Sequence, residues 1–386
     1  MLSSLLASAR QTLRSFGVVN PDVEAETIFS HVLGLRRTRL YIESERELTA
    51  EDQARIGKIV GERRRRFPLQ YLLGEVEFMG LPLAMRQGVF IPRPETEILV
   101  ETVIGRMGPR QAEGLRSVLK VTPANRPFLG PRDRATDSAV GRRGRGADAE
   151  AHVVLSRSAA PDRASRLGEA GGADGGPPAS AARASTLGVV GDRTRRTRGP
   201  RAGRPLRVLD LATGSGAIAV SLAKYLAPEI VVATDISEAA AALARENAAG
   251  NGVSDLVAVV VADGLAALRR ADGGGEVGDT RRGAGFDLVV CNPPYVATGE
   301  IEGLQPEVRD YEPRAALDGG RSGLSFYAGV LRDLPSILRG DGVVAFEIGT
   351  AQAVEVSAMF ESAGLGPVEV IRDLAGRDRI VLGARR

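Results

Sequence analysis

Four consecutive residues, Asn292-Pro293-Pro294-Tyr295, combine groups that could hold a flat nitrogen nucleophile. Asn offers a side-chain carbonyl acceptor. Pro293 has no N–H but keeps its carbonyl, and two prolines stiffen the loop. Two converging acceptors suit a planar NH₂ group, which has two protons to donate, and Tyr295 can stack on a flat amide or base. Such a clamp would aim the nitrogen lone pair at an electrophile, a proximity effect. No other chemistry competes nearby. The chain has one Cys and two His, which excludes a Cys-based zinc site and a multi-histidine metal site. His31 falls in a helical segment and His152 in a low-complexity stretch. Cys291 ends an apolar run and reads as a buried structural thiol. With no His or Lys beside the clamp, and the adjoining Cys291 read as structural, catalysis there would rest on alignment and on stabilising charge in the transition state.

A second stretch, Val208 to Ala217, reads as a strand, a glycine turn and the start of a helix. Across Ala212-Thr213-Gly214-Ser215-Gly216 the backbone can approach a ligand closely, and the helix start offers free N–H groups. Asp235 ends the next strand, where a carboxylate accepts hydrogen bonds from both ribose hydroxyls of a nucleoside. Plainer readings are a tight turn for the glycines and a helix cap for Asp235. Gly214 and Gly216 followed by Ala219 also fit a dinucleotide pattern, so a hydride-transfer enzyme stays open at this stage.

The surrounding pattern supplies elements to carry these residues. Strands are expected at 207–212, 230–235, 257–263, 287–292 and 343–348, with helices at 217–226, 238–249 and 352–362. A closing hairpin is expected from 368–374 and 379–382. The first strands are continuous apolar runs, as in a sheet covered by helices on both faces. This is a doubly wound α/β domain, whose ligands bind at the carboxyl ends of the strands. Residues 1–74 read as three helices: Leu2, Leu5, Leu6, Ala9 and Leu13 recur at helical spacing, Pro21 opens a second helix that Gly34 stops, and Thr49 with Asp52 opens a third running toward Arg66. Residues 75–92 suggest a short β-hairpin.

Charge is divided unevenly. Residues 109–204 hold 19 Lys and Arg against 9 Asp and Glu, a net +10, so the rest of a chain that totals +3 carries −7. The acidic remainder has no general nucleic-acid footprint, and no stable nucleic-acid partner is expected. The basic segment has 14 Gly, 8 Pro and a single aromatic, Phe128. It cannot bury enough apolar surface to offset its ordering entropy and reads as a disordered insertion. It is either an arm that touches RNA or a neutral insertion in a surface loop, and the second reading is favoured. Residues 272–285 read as a shorter loop expansion. No apolar run approaches membrane-spanning length, and Met1 to Phe16 lacks the pattern of a secretory signal, so a cytoplasmic protein is expected.

Asn-Pro-Pro-Tyr with the glycine loop resembles the class I S-adenosylmethionine-dependent amino methyltransferases. Further stretches resemble the PrmC/HemK peptide chain release factor glutamine methyltransferases: Pro68 to Gly74, the Phe90-Ile91-Pro92-Arg93-Pro94-Glu95-Thr96-Glu97 interdomain motif, Tyr311 to Leu317, Gly323 to Tyr327, and Asp373 to Arg379. The resemblance covers about 1–108 and 205–386, and the insertion falls where the family has a short linker. It implies a class I, Rossmann-like methyltransferase domain with a mostly parallel seven-stranded sheet at 205–386, a helical substrate-recognition domain at 1–74, and a β-hairpin and interdomain motif at 75–108. It implies S-adenosylmethionine as cofactor and class I, bacterial-type release factors as partners of a monomeric enzyme. The substrate would be the glutamine of their Gly-Gly-Gln motif, methylated on its amide nitrogen. By position, the cofactor would meet Ala212 to Gly216, Asp235, Asp263, Gly264 and Asn292, and the acceptor would meet Asn292, Pro293, Pro294 and Tyr295. Two positions depart from the family pattern. Ala212 stands where Gly is usual, and Gly264 where a larger side chain usually covers the adenine. The rival readings are a ribosomal-protein glutamine methyltransferase, a methyltransferase of the adenine amine in nucleic acid, and a nicotinamide-dependent oxidoreductase.

Overall fold

The computed structural model describes residues 1–107, 205–265, 268 and 285–385. The expected basic insertion at 109–204, His152 with it, lies outside the described residues, as does the shorter expansion at 272–285 except for its last residue.

The N-terminal part is helical: α1 (Leu2–Ser15), α2 (Pro21–Leu33), α3 (Arg37–Ile42), α4 (Ala50–Arg63) and α5 (Leu69–Leu73). Leu2, Leu6, Ala9 and Leu13 form the buried stripe of α1 and share a core with Ala25, Ile28, Phe29 and Val32 of α2 and Ile56 of α4. Thr49 caps α4, its hydroxyl accepting from the Asp52 N–H at 3.1 Å. The helix stops at Arg63, short of the expected Arg66, because Arg66 adopts a left-handed φ of 63°. Helices α3 and α5 were not foreseen, since six and five residues are too few for a periodic signal.

A hairpin follows, β1 (Glu75–Phe78) with β2 (Leu81–Ala84). Met79 and Gly80 at its tip both have positive φ, as a two-residue turn matched to strand twist requires. Helix α6 (Pro94–Met107) begins inside the motif at 90–97, which the sequence pattern had not marked as helical. Pro94 opens it, and Glu95 and Glu97 lie in its first turn.

The remaining elements are β3 (Arg207–Leu211), α7 (Ala217–Leu226), β4 (Ile230–Asp235), α8 (Glu238–Gly250), β5 (Val257–Val261), β6 (Phe286–Cys291), α9 (Pro306–Arg309), α10 (Ser325–Asp333), β7 (Leu338–Glu347), α11 (Ala353–Ser362), β8 (Glu369–Arg372) and β9 (Asp378–Ala384). Seven strands form one sheet in the order β5-β4-β3-β6-β7-β9-β8. From β5 to β7 the pairs are parallel, and β9 runs antiparallel to β7 and β8. Along each inner strand alternate residues enter opposite cores. Val208, Val231, Leu288 and Val290 join α6 and α7 on one face, and Leu209, Val232, Val289 and Cys291 join α10 and α11 on the other. Strand β7 starts earlier than expected, and its pairing with β6 slips between Phe286 and Leu288. Gly340 and Gly342 lie in this irregular stretch, where glycine weakens regular strand pairing. Among the described residues no helix is long and apolar enough to cross a membrane.

Register brings four strand ends together. Leu211 faces Thr234 on one side and Cys291 on the other, and Cys291 faces Phe346. The residues that follow, Asp235, Ala212, Asn292 and Glu347, therefore lie side by side on the carboxyl edge.

Charged contacts fasten the helical part to a loop beyond that edge. Arg63 is 2% exposed. Its guanidinium donates to both oxygens of Glu24 at 2.7 and 2.9 Å and to Glu307 at 3.2 Å. Arg66 donates to Glu307 at 2.5 and 2.6 Å. Tyr311 donates its hydroxyl to the Arg65 carbonyl at 2.7 Å and meets the Phe67 ring edge-on. Replacing Arg63 with Ala should leave Glu24 without its bidentate partner and remove one of the two cations on Glu307, at a cost of about 3–5 kcal/mol. Urea unfolding would measure this, and a loss below about 1 kcal/mol would show the cluster to be incidental.

Candidate functional site

A cleft of about 580 Å³ opens at the carboxyl edge. That volume lies within the roughly 300–1,000 Å³ of small-molecule sites. Its walls are the loop after β3, the ends of β4 and β5, the segment after β6, and two stretches from elsewhere in the chain, Phe90 to Thr96 and Leu304 to Leu317. Ala212, Thr213, Gly214, Ser215, Asp235, Asp263, Gly264, Asn292, Pro293, Pro294 and Tyr295 all line it. Gly216 does not. It precedes α7 with φ of 81°, and a Cβ there would lie 3.0 Å from Ala244 of α8. Its lack of a side chain serves helix packing.

Two carboxylates, one buried and one partly exposed, hold the glycine loop. Asp210, fully buried, accepts from the Thr213 hydroxyl at 2.6 Å and the Ala219 N–H at 3.1 Å through one oxygen. Burial pushes its carboxyl up to about 7, although the Thr213 and Ala219 hydrogen bonds pull the other way. Asp235 accepts from the Gly214 N–H at 2.8 Å and the Ser237 N–H at 2.9 Å. The cap of α8 is Ser237, whose hydroxyl accepts from Ala240. Asp235 thus stands on the cleft wall with lone pairs to spare on both oxygens. Nothing lies within 4 Å of where a Cβ on Gly214 would sit, so ligand atoms can approach its backbone. Ala212 adopts φ of 52°, a region that disfavours any residue with a Cβ.

Each part of the 292–295 segment is braced. The Asn292 amide nitrogen donates to the Thr96 hydroxyl at 2.9 Å. Thr96 in turn donates to Glu347 at 2.7 Å. The Tyr295 hydroxyl reaches the other Glu347 oxygen at 3.4 Å, and its carbonyl accepts from Gln352 at 2.9 Å. Gly323 lies directly behind, where a Cβ would collide with the Tyr295 carbonyl. Burial pushes Glu347 up to about 7, with Thr96, Arg379 and Tyr295 lowering it and Glu95 raising it. Among the described residues Asn292 Oδ1 receives no hydrogen bond. Cys291 donates its thiol to the Leu211 carbonyl at 3.0 Å, and burial pushes that thiol up. His31 contacts Glu75 at 3.0 Å, away from the cleft.

Thr96, Glu347 and Gln352 escaped the sequence reading. Thr96 lies inside a motif known only by resemblance, and Glu347 inside the strand expected at 343–348. A carboxylate ending an apolar strand beside the 292–295 segment was the available signal.

Comparison with known proteins agrees with this architecture. Residues 4–74 match the PrmC N-terminal domain and residues 201–305 the methyltransferase small domain. Over 386 residues the sequence is 31% identical to the release factor glutamine methyltransferase of Moorella thermoacetica, covering 100% of this chain and 99% of that one. The corresponding protein of Geobacter sulfurreducens is 31% identical over 99% of this chain and 96% of its own. The chain belongs to the release factor glutamine methyltransferase family. A solved release-factor-specific protein-(glutamine-N5) methyltransferase from Alicyclobacillus acidocaldarius is 28% identical, covering 48% of this chain and 83% of that one, with a TM-score of 0.30.

The methyl donor of this methyltransferase is S-adenosylmethionine, and the cleft suits it. Asp235 offers acceptors to ribose hydroxyls, the open space over Gly214 admits close approach, and Ile236, 64% exposed, offers an apolar surface to a base.

Two outcomes follow from the strain and the buried charge. Ala212→Gly should relieve the left-handed strain against a larger unfolded-state entropy, a net gain of roughly 0.5–1 kcal/mol in urea unfolding. Glu347 is held near 7 in the folded state, so the wild type gives up stability as pH rises from the ordinary carboxylate value, about 4.5, through about 7. Glu347→Gln does not titrate. Its stability relative to wild type should therefore rise by up to about 3 kcal/mol between pH 5 and pH 8, and a constant difference would contradict the buried-charge assignment.

Proposed function

We propose that this methyltransferase modifies the side-chain amide nitrogen of the glutamine in the Gly-Gly-Gln motif of class I, bacterial-type release factors. The observation that carries the proposal is the Asn292 side chain. Its nitrogen is taken by Thr96, and its oxygen is left free on the wall of a cleft that suits a nucleoside.

The residues divide the work as follows. Ala212 to Ser215, Asp235, Asp263 and Gly264 hold the cofactor, with Gly216 supporting that loop through its packing on α8. Bound S-adenosylmethionine supplies a methyl group on a positively charged sulfur. Asn292 Oδ1 and the Pro293 carbonyl accept the two N–H bonds of the substrate amide. This fixes the nitrogen lone pair toward the cofactor side and stabilises the positive charge that grows on nitrogen. Pro294 keeps the segment stiff, and the Tyr295 ring lies along the flat amide, its hydroxyl held back by Glu347. No described His, Cys or Lys lines the cleft, so the residues here assist by alignment and charge, and the surplus proton passes to water after transfer.

On this reading residues 1–74 recognise the release factor, 75–108 link, and 205–386 carry the reaction. The enzyme acts as a cytoplasmic monomer without a stable nucleic-acid partner, and the 109–204 segment is a tolerated insertion. Labelled S-adenosylmethionine should methylate an unmodified release factor and leave a Gly-Gly-Ala variant unlabelled. Enzyme lacking 109–204 should be equally active. Label on a ribosomal protein or on adenine instead would replace the proposal. Asn292→Ala should lower kcat by at least about 100-fold while affinity for S-adenosylhomocysteine changes by less than about threefold. Parallel loss of both would remove Asn292 from the acceptor side.

A further inference from the structure

We infer that Thr96 and Glu347 are positioning residues whose hydroxyl–carboxyl chain turns the Asn292 amide so that its oxygen, and not its nitrogen, meets the acceptor. The inference rests on the function proposed above and concerns the same site.

An Asn side chain keeps almost the same shape when its amide rotates by half a turn, yet the two orientations are chemical opposites. Turned one way, it accepts a substrate N–H. Turned the other, it sets its own N–H against the substrate's. Among the described residues only Thr96 bonds the Asn292 side chain. A threonine hydroxyl has one proton. With Glu347 ionised, that proton goes to Glu347 Oε2 at 2.7 Å, and toward Asn292 the hydroxyl can then only accept. The Asn292 nitrogen, 2.9 Å away, must therefore face Thr96. Thr96 is 2% exposed and Glu347 1%, so bulk water has little access to replace either partner. The second Glu347 oxygen is engaged by Tyr295. Hydrogen-bond polarity is thus passed from β7 through α6 to the segment after β6. Its middle member, Thr96, belongs to the stretch between the helical part and the sheet, so the acceptor clamp is completed by a residue from outside the sheet.

Three variants test this: Thr96→Val, which keeps the shape without the hydroxyl, Thr96→Ser, which keeps the hydroxyl, and Asn292→Ala as reference. Methyl transfer to an unmodified release factor gives kcat and KM, and calorimetry with S-adenosylhomocysteine reports on the cofactor side. Thr96→Val should lower kcat on the order of 10–100-fold, the scale of other hydrogen bonds that orient a reacting group's ligand. KM and S-adenosylhomocysteine affinity should stay within about threefold of wild type, and Thr96→Ser should recover at least about a third of wild-type kcat. Wild-type kcat in Thr96→Val would overturn the inference. So would a loss shared by kcat, product affinity and melting temperature, which marks a purely structural role. A second readout is independent of turnover. The chain has five asparagines, so selective ¹⁵N-Asn labelling resolves the Asn292 side-chain NH₂. One of its protons should exchange slowly in wild type and Thr96→Ser and fast in Thr96→Val. Equal exchange in all three would also overturn the inference. Slow exchange in a wild type that methylates no release factor would instead leave the positioning intact and defeat the functional proposal.

Discussion

The register of the inner parallel strands is the constraint on which the rest depends. Leu211 lies between Thr234 and Cys291, and Cys291 lies against Phe346. A slip of one residue in any of these pairings would turn every side chain of that strand to the opposite face. It would carry Asp235, Asn292 or Glu347 off the shared edge. The slip is opposed by two apolar cores at once, because Val208, Leu288 and Val290 fill one face and Leu209, Val289 and Cys291 the other. Burial on both faces thus fixes the geometry of the carboxyl edge before any polar contact forms there.

Polar groups refine that edge instead of creating it. Asp210, Glu347 and Asp235 each accept hydrogen bonds that set a loop or a side chain. Asp210 and Glu347 are buried deeply enough that their carboxyls are held near 7. A site of this kind trades some stability for rigidity. Rigidity suits the mechanism proposed above, in which alignment and charge stabilisation lower most of the barrier. Ala212 fits the same picture, since its left-handed backbone is held by the surrounding loop and not by its own preference.

The helical part takes part in building the cleft. Glu307, Tyr311 and Glu312 lie on the segment that forms the far wall, and each is held by a residue from outside the sheet: Arg63 and Arg66, the Arg65 carbonyl with the Phe67 ring, and Arg93. Removing one partner from such a buried cluster costs far more than an exposed ion pair contributes. These contacts tie the 304–317 wall of the cleft to the helical part, while the opposite wall is built from the strand ends of the sheet.

The sequence alone determined the α/β class, the positions of most strands and helices, the glycine loop, Asp235 and the 292–295 segment. All are local signals: apolar runs, helical spacing, a turn between strand and helix, four adjacent residues with matching chemistry. Tertiary structure decided what local signals cannot hold. Gly216 left the ligand wall for a helix contact with Ala244. The motif at 90–97 became the start of a helix that delivers Thr96 to Glu347, 251 positions along the chain. Short helices α3 and α5 lacked the length for a periodic pattern. Which atom of the Asn292 amide is free, and whether it donates or accepts, follows from the polarity of hydrogen bonds among residues distant in sequence, and only packing brings those residues together.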